Sequence, residues 1–365
     1  MMYYYILITF LFLLATLINL LFLPKLSRKS TVNDLVSVLV PMRNEERNVK
    51  GLIESIKRIT HSPVEFIILD DGSTDRTREL LTRLTKDDPR FRIIDGKHLP
   101  QGWVGKVHAC NELSRHASGS YYLYLDADVR VSPSIIDKVL FQMERYDSGL
   151  VTGFPHFPLP TFLSKMLVPF QHFLVYFHLP LAVANHTTRS AFTAAHGAFM
   201  FFKKEAYDDC GGHEAVKSSL LEDVHLSRKV KENGWKVTLV NNSFDVTCHM
   251  YETNKEVWEG FLKNIYVGTG RSPISVILLS LFYSIFYILP LPLALYGLVS
   301  GEFGYVLPLL GIWVQTFMID IISNQSKWHF LLVPIASIFF IFIMWASMLR
   351  GMKNQGYTWK GRTYS

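Results

Sequence analysis

Three pairs of acidic residues have the types and the spacing to do chemistry. Asp70-Asp71 and Asp126-Ala-Asp128 each follow an apolar stretch typical of a buried strand, and Glu222-Asp223 opens a predicted helix. A single acid in such a place is commonly only a helix cap, but two pairs behind separate strands make capping a poor explanation. Asp126 and Asp128 are next-but-one neighbours, so both can reach one small site. Carboxylate oxygens are ligands that Mg²⁺ and Mn²⁺ prefer.

The segment that carries these acids alternates strands with helices. Strands are predicted at residues 35–41, 64–69, 91–95, 121–125, 198–202 and 235–241, and helices at residues 48–58, 74–84, 106–117 and 222–233. Asp75 is expected in the first turn of the second helix, where a negative charge is favourable. This alternation predicts an α/β fold with a mostly parallel sheet covered on both faces. Ligands of such sheets bind beyond the carboxyl ends of the strands, where Asp70-Asp71 and Asp126-Ala-Asp128 lie.

Apolar runs at both ends of the chain predict a membrane protein. Residues 2–23, 272–300 and 330–349 contain no charged residue, and as helices each can cross the ~30 Å hydrocarbon layer. The run 303–319 is shorter and ends at Asp320, which is either a functional charge or a residue that reaches the headgroups. The first run has no positive segment before it and no small-x-small cleavage site, so we expect an uncleaved anchor.

The distribution of basic residues predicts the orientation. Lys25, Arg28 and Lys29 follow the first run and favour the cytoplasmic side for the domain behind it. Three later spans would put the C-terminus outside, whereas the basic tail, residues 350–365, favours the cytoplasm. Either the run 303–319 does not span or the tail is an exception, and we expect a cytoplasmic tail.

The predicted organisation is therefore an anchor (1–24), a catalytic domain (35–250), a membrane region of two or three spans (272–349) and the tail. Within the domain, residues 155–190 are aromatic and apolar but interrupted by prolines and by polar residues such as Lys165 and His172. A spanning helix would have to bury those polar groups, so we expect helices that lie in the membrane interface.

Composition excludes some classes of function. The net charge of +6 comes without a basic block interleaved with aromatic residues, so nucleic acid is not the expected partner. Anionic lipid headgroups are the simpler partner for a positively charged membrane protein. A transporter or binding protein is the alternative of another class. Four candidate spans with only one clear intramembrane charge argue against a transporter. The cysteines Cys110, Cys210 and Cys248 have neither metal-ligand nor disulfide spacing, which agrees with a reducing compartment.

Four motifs in order resemble the family 2 glycosyltransferases of the GT-A fold. They are residues 38–45 (Val-Leu-Val-Pro-Met-Arg-Asn-Glu), residues 69–75 (Leu-Asp-Asp-Gly-Ser-Thr-Asp), Asp126-Ala-Asp128 and Glu222-Asp223. The resemblance covers roughly residues 35–245. It implies a Rossmann-like mixed sheet that binds a nucleotide-diphosphate sugar, flanked here by N-terminal and C-terminal transmembrane helices. Each motif alone is common, whereas four in order at strand ends and helix starts are specific.

The resemblance also implies roles for the residues of the donor site. Asp126 faces the ribose or phosphate of the donor, and Asp128, with Asp126 beside it, binds a Mg or Mn cation that polarises the departing phosphate. Lys106 opens a helix after a loop and suits a phosphate or ribose. The uracil contacts implied are Asp70, with Asp71 as the alternative, and the base site is lined by Pro41 and Glu45.

The same resemblance makes Glu222-Asp223 the catalytic pair. Transfer with inversion needs a base for the proton of the acceptor, and Asp223 is assigned as that base with Glu222 beside it in the acceptor pocket. Related carotenoid enzymes do not keep both acids, so the reverse assignment stays open. His196-Gly197 is expected to line the acceptor side, with His196 as a structural hydrogen-bonding residue outside the catalytic set.

Further segments resemble particular groups of enzymes within this family. Residues 99–106 (Leu-Pro-Gln-Gly-Trp-Val-Gly-Lys), Gly211-Gly-His213 and residues 359–365 resemble glycosyltransferases of diapocarotenoid acids such as 4,4'-diaponeurosporenoate, and the hopanoid-associated glycosyltransferases are similar too. The resemblance implies transfer of one glucose from UDP-glucose to an isoprenoid or other lipid acceptor at the cytoplasmic face of the cell membrane. The alternative within the family is a glycolipid, polyprenyl-phosphate or polysaccharide synthase. The Gln-x-x-Arg-Trp motif of processive synthases is absent from the region after residue 250, which favours a single transfer.

Overall fold

The computed structural model describes residues 2–353, 357–359 and 362–364, so Lys360 and Ser365 of the basic tail lie outside the described residues. Its centre is a seven-stranded sheet with the order β3-β2-β1-β4-β7-β6-β8, and two pairs of short strands, β5-β9 and β10-β11, lie apart from it. The strands are β1 (Val36–Met42), β2 (Val64–Asp70), β3 (Phe91–Asp95), β4 (Tyr121–Leu125), β5 (Val129–Val131), β6 (Ser148–Thr152), β7 (Phe199–Lys203), β8 (Lys236–Leu239), β9 (Val246–Cys248), β10 (Tyr357–Trp359) and β11 (Arg362–Tyr364).

Fifteen α-helices lie within the described residues. They are α1 (Met2–Leu21), α2 (Glu46–Lys57), α3 (Thr77–Thr85), α4 (Gly105–His116), α5 (Ile135–Tyr146), α6 (Phe162–Leu167), α7 (Phe170–His178), α8 (Leu181–His186), α9 (Lys204–Asp209), α10 (Glu222–Glu232), α11 (Asn254–Gly268), α12 (Pro273–Tyr283), α13 (Pro290–Ser300), α14 (Leu307–Ile322) and α15 (Val333–Met352). A π-helical turn, Ser284–Ile288, joins α12 to α13.

The prediction of a mostly parallel sheet is confirmed, with one antiparallel strand that makes the sheet mixed. β3, β2, β1 and β4 run in parallel, whereas β7 is antiparallel to both of its neighbours, β4 and β6. The cause is the connection between β6 and β7. It contains α6 to α8 and stays at the carboxyl edge of the sheet, so β7 begins at that edge and runs back. The mixed α/β sheet that the resemblance implied is confirmed.

Apolar periodicity predicted the central elements well. Val49, Leu52, Ile53 and Ile56 are buried on one face of α2, as their helical spacing predicts. The helix expected at residues 74–84 begins only at Thr77. Asp75 precedes it instead of lying in its first turn, and its Oδ1 accepts a hydrogen bond from the Thr77 N–H at 3.0 Å. The buried strand β6 was not predicted because Ser-Gly-Leu-Val-Thr shows no alternation.

Residues 155–190 form the three short helices α6, α7 and α8, as their polar interruptions predicted. Two of the interrupting histidines are bonded inside the protein. His172 is buried with Nε2 3.3 Å from the Phe154 carbonyl oxygen, and His178 Nε2 lies 2.9 Å from the Tyr283 hydroxyl of α12. These helices therefore pack between the sheet and the apolar helices. Their position relative to a bilayer stays a prediction.

Four helical segments are long and apolar enough to cross a membrane. They are Met2–Leu21, Pro273–Ser300, Phe303–Ile322 and His329–Met352. The third run is longer than the sequence suggested, because its helix continues past Asp320. Asp320 is buried, with Oδ1 3.2 Å from His329 Nδ1, so its carboxylate is bonded inside the protein.

Asn241 connects two of these helices to the catalytic domain. Its N–H donates to the Pro24 carbonyl just beyond α1 at 2.8 Å, and its Nδ2 donates to the Ile322 carbonyl at the end of α14 at 2.7 Å. Gln315 Nε2 of α14 also donates to Thr16 Oγ1 of α1. The two helices run side by side and both end at the domain, so the α13–α14 loop lies at the far end.

The last turns of α15 return to the domain. Ser347 Oγ donates to the Leu262 carbonyl at 2.7 Å and accepts from the Tyr266 N–H at 3.0 Å, both in α11. Since α11 directly continues the catalytic domain, these bonds favour an exit of the tail on the side of the domain.

We predict that a cysteine at Lys353 shares its side of the membrane with one at Lys255, on the exposed surface of α11, and not with one at Glu302 in the α13–α14 loop. Maleimide labelling of single-cysteine variants in intact and permeabilised cells measures this, because Cys110, Cys210 and Cys248 are buried. Labelling of Lys353→Cys together with Glu302→Cys would contradict the assignment of the tail.

Candidate active site

The acidic motifs meet at one edge of the sheet because their strands are neighbours and run in parallel. In the register of β1 and β2, Pro41 pairs with Leu69 and Met42 with Asp70. β4 pairs with the other side of β1, so the loop that follows Leu125 lies at the same edge. Side chains separated by more than 50 positions in the chain are thereby brought together.

A lysine joins two of the acidic motifs. Lys106 Nζ lies 2.7 Å from Asp126 Oδ1 and 3.0 Å from Glu222 Oε1. Burial opposes the charge of the ammonium, but the two carboxylates outweigh burial and raise the pKa of Lys106 well above its usual value. The pKa of Glu222 is lowered, because Lys106 outweighs the effect of burial on that carboxyl. Lys106 is thus a charged link between the end of β4 and the start of α10.

The negative charge of Asp128 is compensated less by nearby positive charge. Burial, together with the charges of Asp126 and Glu45, raises the pKa of Asp128 to about 7. Its Oδ1 accepts a weak hydrogen bond from Cys248 Sγ at 3.4 Å, and its carbonyl accepts from the His249 N–H at 2.9 Å. A carboxyl that is buried beside like charges favours a cation in its vicinity.

Asp223 is held by backbone donors at the start of α10. Its Oδ2 accepts from the Gly197 N–H at 2.9 Å, and its Oδ1 accepts from the Val224 N–H at 2.8 Å. Burial and the neighbouring Glu222 carboxylate raise the pKa of Asp223 to about 7. A carboxylate with a pKa near neutrality can both accept and release a proton at physiological pH.

The residues expected at the nucleotide base lie along β1 and β2. Asp70 and Asp71 are buried at the end of β2, and Asp70 Oδ1 accepts from the Ser73 N–H at 3.1 Å. Glu45 precedes α2, and its Oε2 accepts from Asn48 Nδ2 at 2.7 Å. These two bonds stabilise the loops after the strands, and each uses a carboxylate oxygen of a residue that was expected at the base.

Comparisons with known proteins point to one class of enzyme. Residues 37–211 match the model of the family described as glycosyl transferase family 2. This segment is similar to the glycosyltransferases of that family. The chain is 26% identical over 352 residues to the 4,4'-diaponeurosporenoate glycosyltransferase of Staphylococcus aureus strain USA300, a match that covers 90% of this chain and 88% of that protein. The enzyme of the bovine strain RF122 / ET3-1 is 27% identical over 355 residues, with the same coverage.

A solved structure supports the fold. The mannosyltransferase of Pyrobaculum calidifontis, determined with GDP-Man and Mn²⁺, superimposes with a TM-score of 0.55 over 97% of this chain and 100% of that chain, at 14% identity. The prediction of a glycosyltransferase of the GT-A fold is confirmed.

Sequence reasoning expected Gly197 on the acceptor side but missed its contact with the charged cluster. A Cβ at this position would lie 3.1 Å from Lys106 Nζ and 3.5 Å from both Asp223 Oδ2 and Glu222 Oε1. A larger residue here would press on the Lys106 ammonium, so glycine suits this close approach of the backbone. The signal in the sequence was weak, since a glycine after His196 has many ordinary explanations.

Lys263 was missed as well. It lies on α11 within electrostatic range of Glu222, Lys106 and Asp223, and burial lowers its pKa. Within residues 2–353 the structure gives this ammonium no hydrogen bond or ion pair. A lone lysine 40 positions after the acidic pair carries no recognisable motif, so only the fold of α11 could reveal its place.

Two other residues near the site are structural. His196 packs against Phe154 and Phe157, and burial lowers its pKa to about 3, so its ring is neutral, in agreement with its exclusion from the catalytic set. Arg130 Nη1 donates to the Val129 carbonyl and its Nη2 to the Asn48 carbonyl. It thereby ties α2 to the strand after Asp128.

The candidate metal ligands at the site are carboxylates. Among the described residues, no group of three or more His, Cys, Asp and Glu side chains is arranged to hold a metal ion. Asp126 and Asp128 supply two acidic side chains, and divalent cations such as Mg²⁺ are commonly held by one or two carboxylates together with substrate phosphates. The residues therefore fit a cation that is bound jointly with a diphosphate.

The environment of Asp223 gives a testable pH dependence. We expect kcat/KM to rise with pH through about 7, because Asp223 accepts a proton only after it has lost its own. Glu222→Gln removes a charge that raises the pKa of Asp223, so the acidic limb should move to lower pH. Asp223→Asn should lower the rate by roughly 10²–10⁴.

The two substitutions control for each other, because both keep the shape of the side chain. Initial rates of sugar transfer across a pH series, with nucleotide binding measured in parallel, separate chemistry from folding. A nearly silent Asp223→Asn beside an inactive Glu222→Gln would mean that the roles of the two acids are exchanged.

Proposed function

We propose that the protein transfers a single glucose from UDP-glucose to a membrane-embedded isoprenoid or lipid acceptor at the cytoplasmic face, with inversion at the anomeric carbon. The observation that carries the proposal is the ammonium of Lys106 between Asp126 and Glu222. It joins the loop expected to bind the donor diphosphate to the helix that carries the expected base. Donor and acceptor therefore meet at one edge of the sheet.

The activities and ligands of similar proteins support the substrate classes. The Staphylococcus aureus relatives act on 4,4'-diaponeurosporenoate, a carotenoid acid, and the Pyrobaculum calidifontis structure contains GDP-Man and Mn²⁺. A nucleotide-sugar donor and a divalent cation agree with the strand-end carboxylates found here. UDP as the nucleotide is inferred from Asp70 and Asp71, whose oxygens can accept from the N3–H of uracil, with Pro41 and Glu45 beside them.

Asp126 and Asp128 would hold the cation together with the donor. A bound divalent cation would neutralise charge on the diphosphate as it departs. Lys106 contributes a second positive charge, since its ammonium lies at the same carboxylate and can donate to a phosphate oxygen. The cationic side of the site thus faces the leaving group, and the acidic side faces the acceptor.

The transfer forms one bond and breaks another. The acceptor oxygen bonds to the anomeric carbon while the bond from that carbon to the diphosphate oxygen breaks, and the nucleoside diphosphate leaves with the electron pair. An acceptor hydroxyl must lose its proton, and Asp223 is the proposed recipient, whereas an ionised acceptor carboxylate attacks without losing a proton. The N–H groups of Gly197 and Val224 hold Asp223 in place for that role.

Apolar helices beside the site favour a lipid acceptor. Phe162 of α6 is exposed and packs edge-on against Phe339 of α15, and Phe170 of α7 stacks on Phe340 at 4.8 Å. An acceptor that moves along these rings to Asp223 avoids the cost of exposing its chain to water, about 0.8 kcal/mol per CH₂.

Lys263 is proposed to bind the acid group of the acceptor. Its helix, α11, is hydrogen-bonded to α15, so Lys263 lies on the side from which a lipid would come. An acidic acceptor approaching Glu222 and Asp223 would be repelled without a nearby cation. Lys263 supplies that cation.

We expect purified protein in lipid bilayers to transfer radiolabelled glucose from UDP-glucose to a terpenoid acid in the presence of Mg²⁺ or Mn²⁺. Mass spectrometry of the extracted lipid should show one added hexose. Asp128→Ala and wild-type protein with excess EDTA should both be inactive, because the cation stabilises the leaving group by several kcal/mol.

Three results would contradict parts of this proposal. Full activity of Asp128→Ala or full activity in EDTA would remove the metal role. Label in a long polysaccharide would replace single transfer by polymer synthesis, and water-soluble sugars that serve as well as lipids would remove the membrane acceptor.

For Lys263 we predict that substitution changes only the kinetics with the acidic acceptor. Lys263→Met keeps the length of the side chain but removes its charge, so KM for an acidic lipid should rise about tenfold or more, as expected for loss of a charged hydrogen bond. KM for the nucleotide sugar and activity on a neutral lipid alcohol should not change. Lys255→Met, on the exposed surface of the same helix, is the matched control. Equal losses with both acceptors would contradict the role.

A further inference from the structure

A polar pocket of about 230 Å³ lies on the domain away from the catalytic acids. It is lined by Arg145, Tyr146, Asn185, His186 and Lys236, and is called the basic pocket below. Arg145 and Tyr146 form the last turn of α5, Asn185 and His186 end α8, and Lys236 begins β8. The pocket thus forms where three elements distant in sequence meet.

One wall of the basic pocket is rigid. Asn185 Nδ2 donates to the Phe22 and Leu239 carbonyls, each at 3.1 Å, and its Oδ1 accepts from the Leu239 N–H at 2.8 Å. With these bonds made, Asn185 serves as a brace between α8, β8 and the segment that follows α1. The capacity to bind a ligand therefore belongs to the other residues.

Two cations of the basic pocket retain donors. The Arg145 guanidinium lies 5.7 Å from the centre of the Tyr146 ring, and within residues 2–353 it has no ion pair. Lys236 Nζ donates to the Tyr146 carbonyl at 3.3 Å and lies 3.7 Å from Asp147, whose carboxylate is 89% exposed. An exposed contact at that distance is weak. α5 and α8 both end here, and the partial negative charge of a helix C-terminus disfavours an anion. Binding of an anion would therefore depend on the basic side chains.

The position of the basic pocket relative to the anchor indicates what it binds. The Phe22 ring lies 6.3 Å from the His186 ring, and Phe22 directly follows α1, the first candidate span. The end of a 20-residue span lies at the depth of the lipid headgroups. Gln142, one turn before Arg145, donates to the Lys25 carbonyl at 2.8 Å, which brings the basic segment after the anchor to the same place.

We propose that the basic pocket binds the phosphate group of an anionic membrane lipid. Its two cations can donate to phosphate oxygens, and the exit of the anchor holds it at headgroup depth. The site is separate from sugar transfer, and occupancy would tie the domain to an acidic bilayer surface close to the anchor.

Lipid retention by the full-length protein tests the proposal. Protein purified in mixed micelles that contain phosphatidylglycerol and phosphatidylcholine is analysed by native mass spectrometry. Wild-type protein should retain phosphatidylglycerol over phosphatidylcholine by roughly thirtyfold, the effect expected of two basic residues at a membrane surface. Arg145→Gln/Lys236→Gln should lose this preference with an unchanged unfolding temperature in neutral detergent.

The matched control is Lys50→Gln/Arg83→Gln, which removes the same charge from exposed positions of α2 and α3. It should keep the preference. If the control variant also lost the preference for phosphatidylglycerol, the effect would be a general charge attraction, and the proposal of a lipid site in the basic pocket would be overturned. Unchanged retention in Arg145→Gln/Lys236→Gln would also overturn it. Thermal stabilisation by inorganic phosphate equal to that by phosphatidylglycerol would overturn the lipid as the ligand.

Discussion

Several carboxylates converge at the carboxyl edge of the sheet, and the ammonium of Lys106 lies between two of them. Asp126 comes from the end of β4 and Glu222 from the start of α10, so repulsion would separate these elements without a cation. Lys106 is itself placed by α4, whose second residue it is. The arrangement of donor side and acceptor side depends on the charge of this half-buried lysine.

The pKa values of the carboxylates depend on that arrangement. Lys106 lowers the pKa of Glu222, whereas burial keeps the pKa of Asp126 above its usual value even with Lys106 beside it. Burial also raises the pKa values of Asp128 and Asp223 to about 7. Asp128 lies toward the proposed leaving group and Asp223 toward the proposed acceptor, so each side of the site contains a carboxyl whose protonation can change near neutral pH.

Much of this could be predicted from the sequence, because it rests on local patterns. Apolar strands ending in acids gave the positions of Asp70, Asp126 and Asp128, and parallel neighbours bring such ends together. The direction of β7 could not be predicted, since it depends on a connection that stays at one edge. Nor could Gly197 and Lys263, whose significance arises from packing between segments distant in the chain.

The contacts of Asn241 have a consequence for the choice of acceptor. This residue bonds to the carbonyls behind α1 and at the end of α14, so two candidate spans are fixed to the end of β8. With these helices in a bilayer, the domain and its catalytic carboxylates would be held at one height above the hydrocarbon. Under the proposed function, a lipid acceptor then has to present its reactive oxygen at that height, whatever the chemistry of its headgroup.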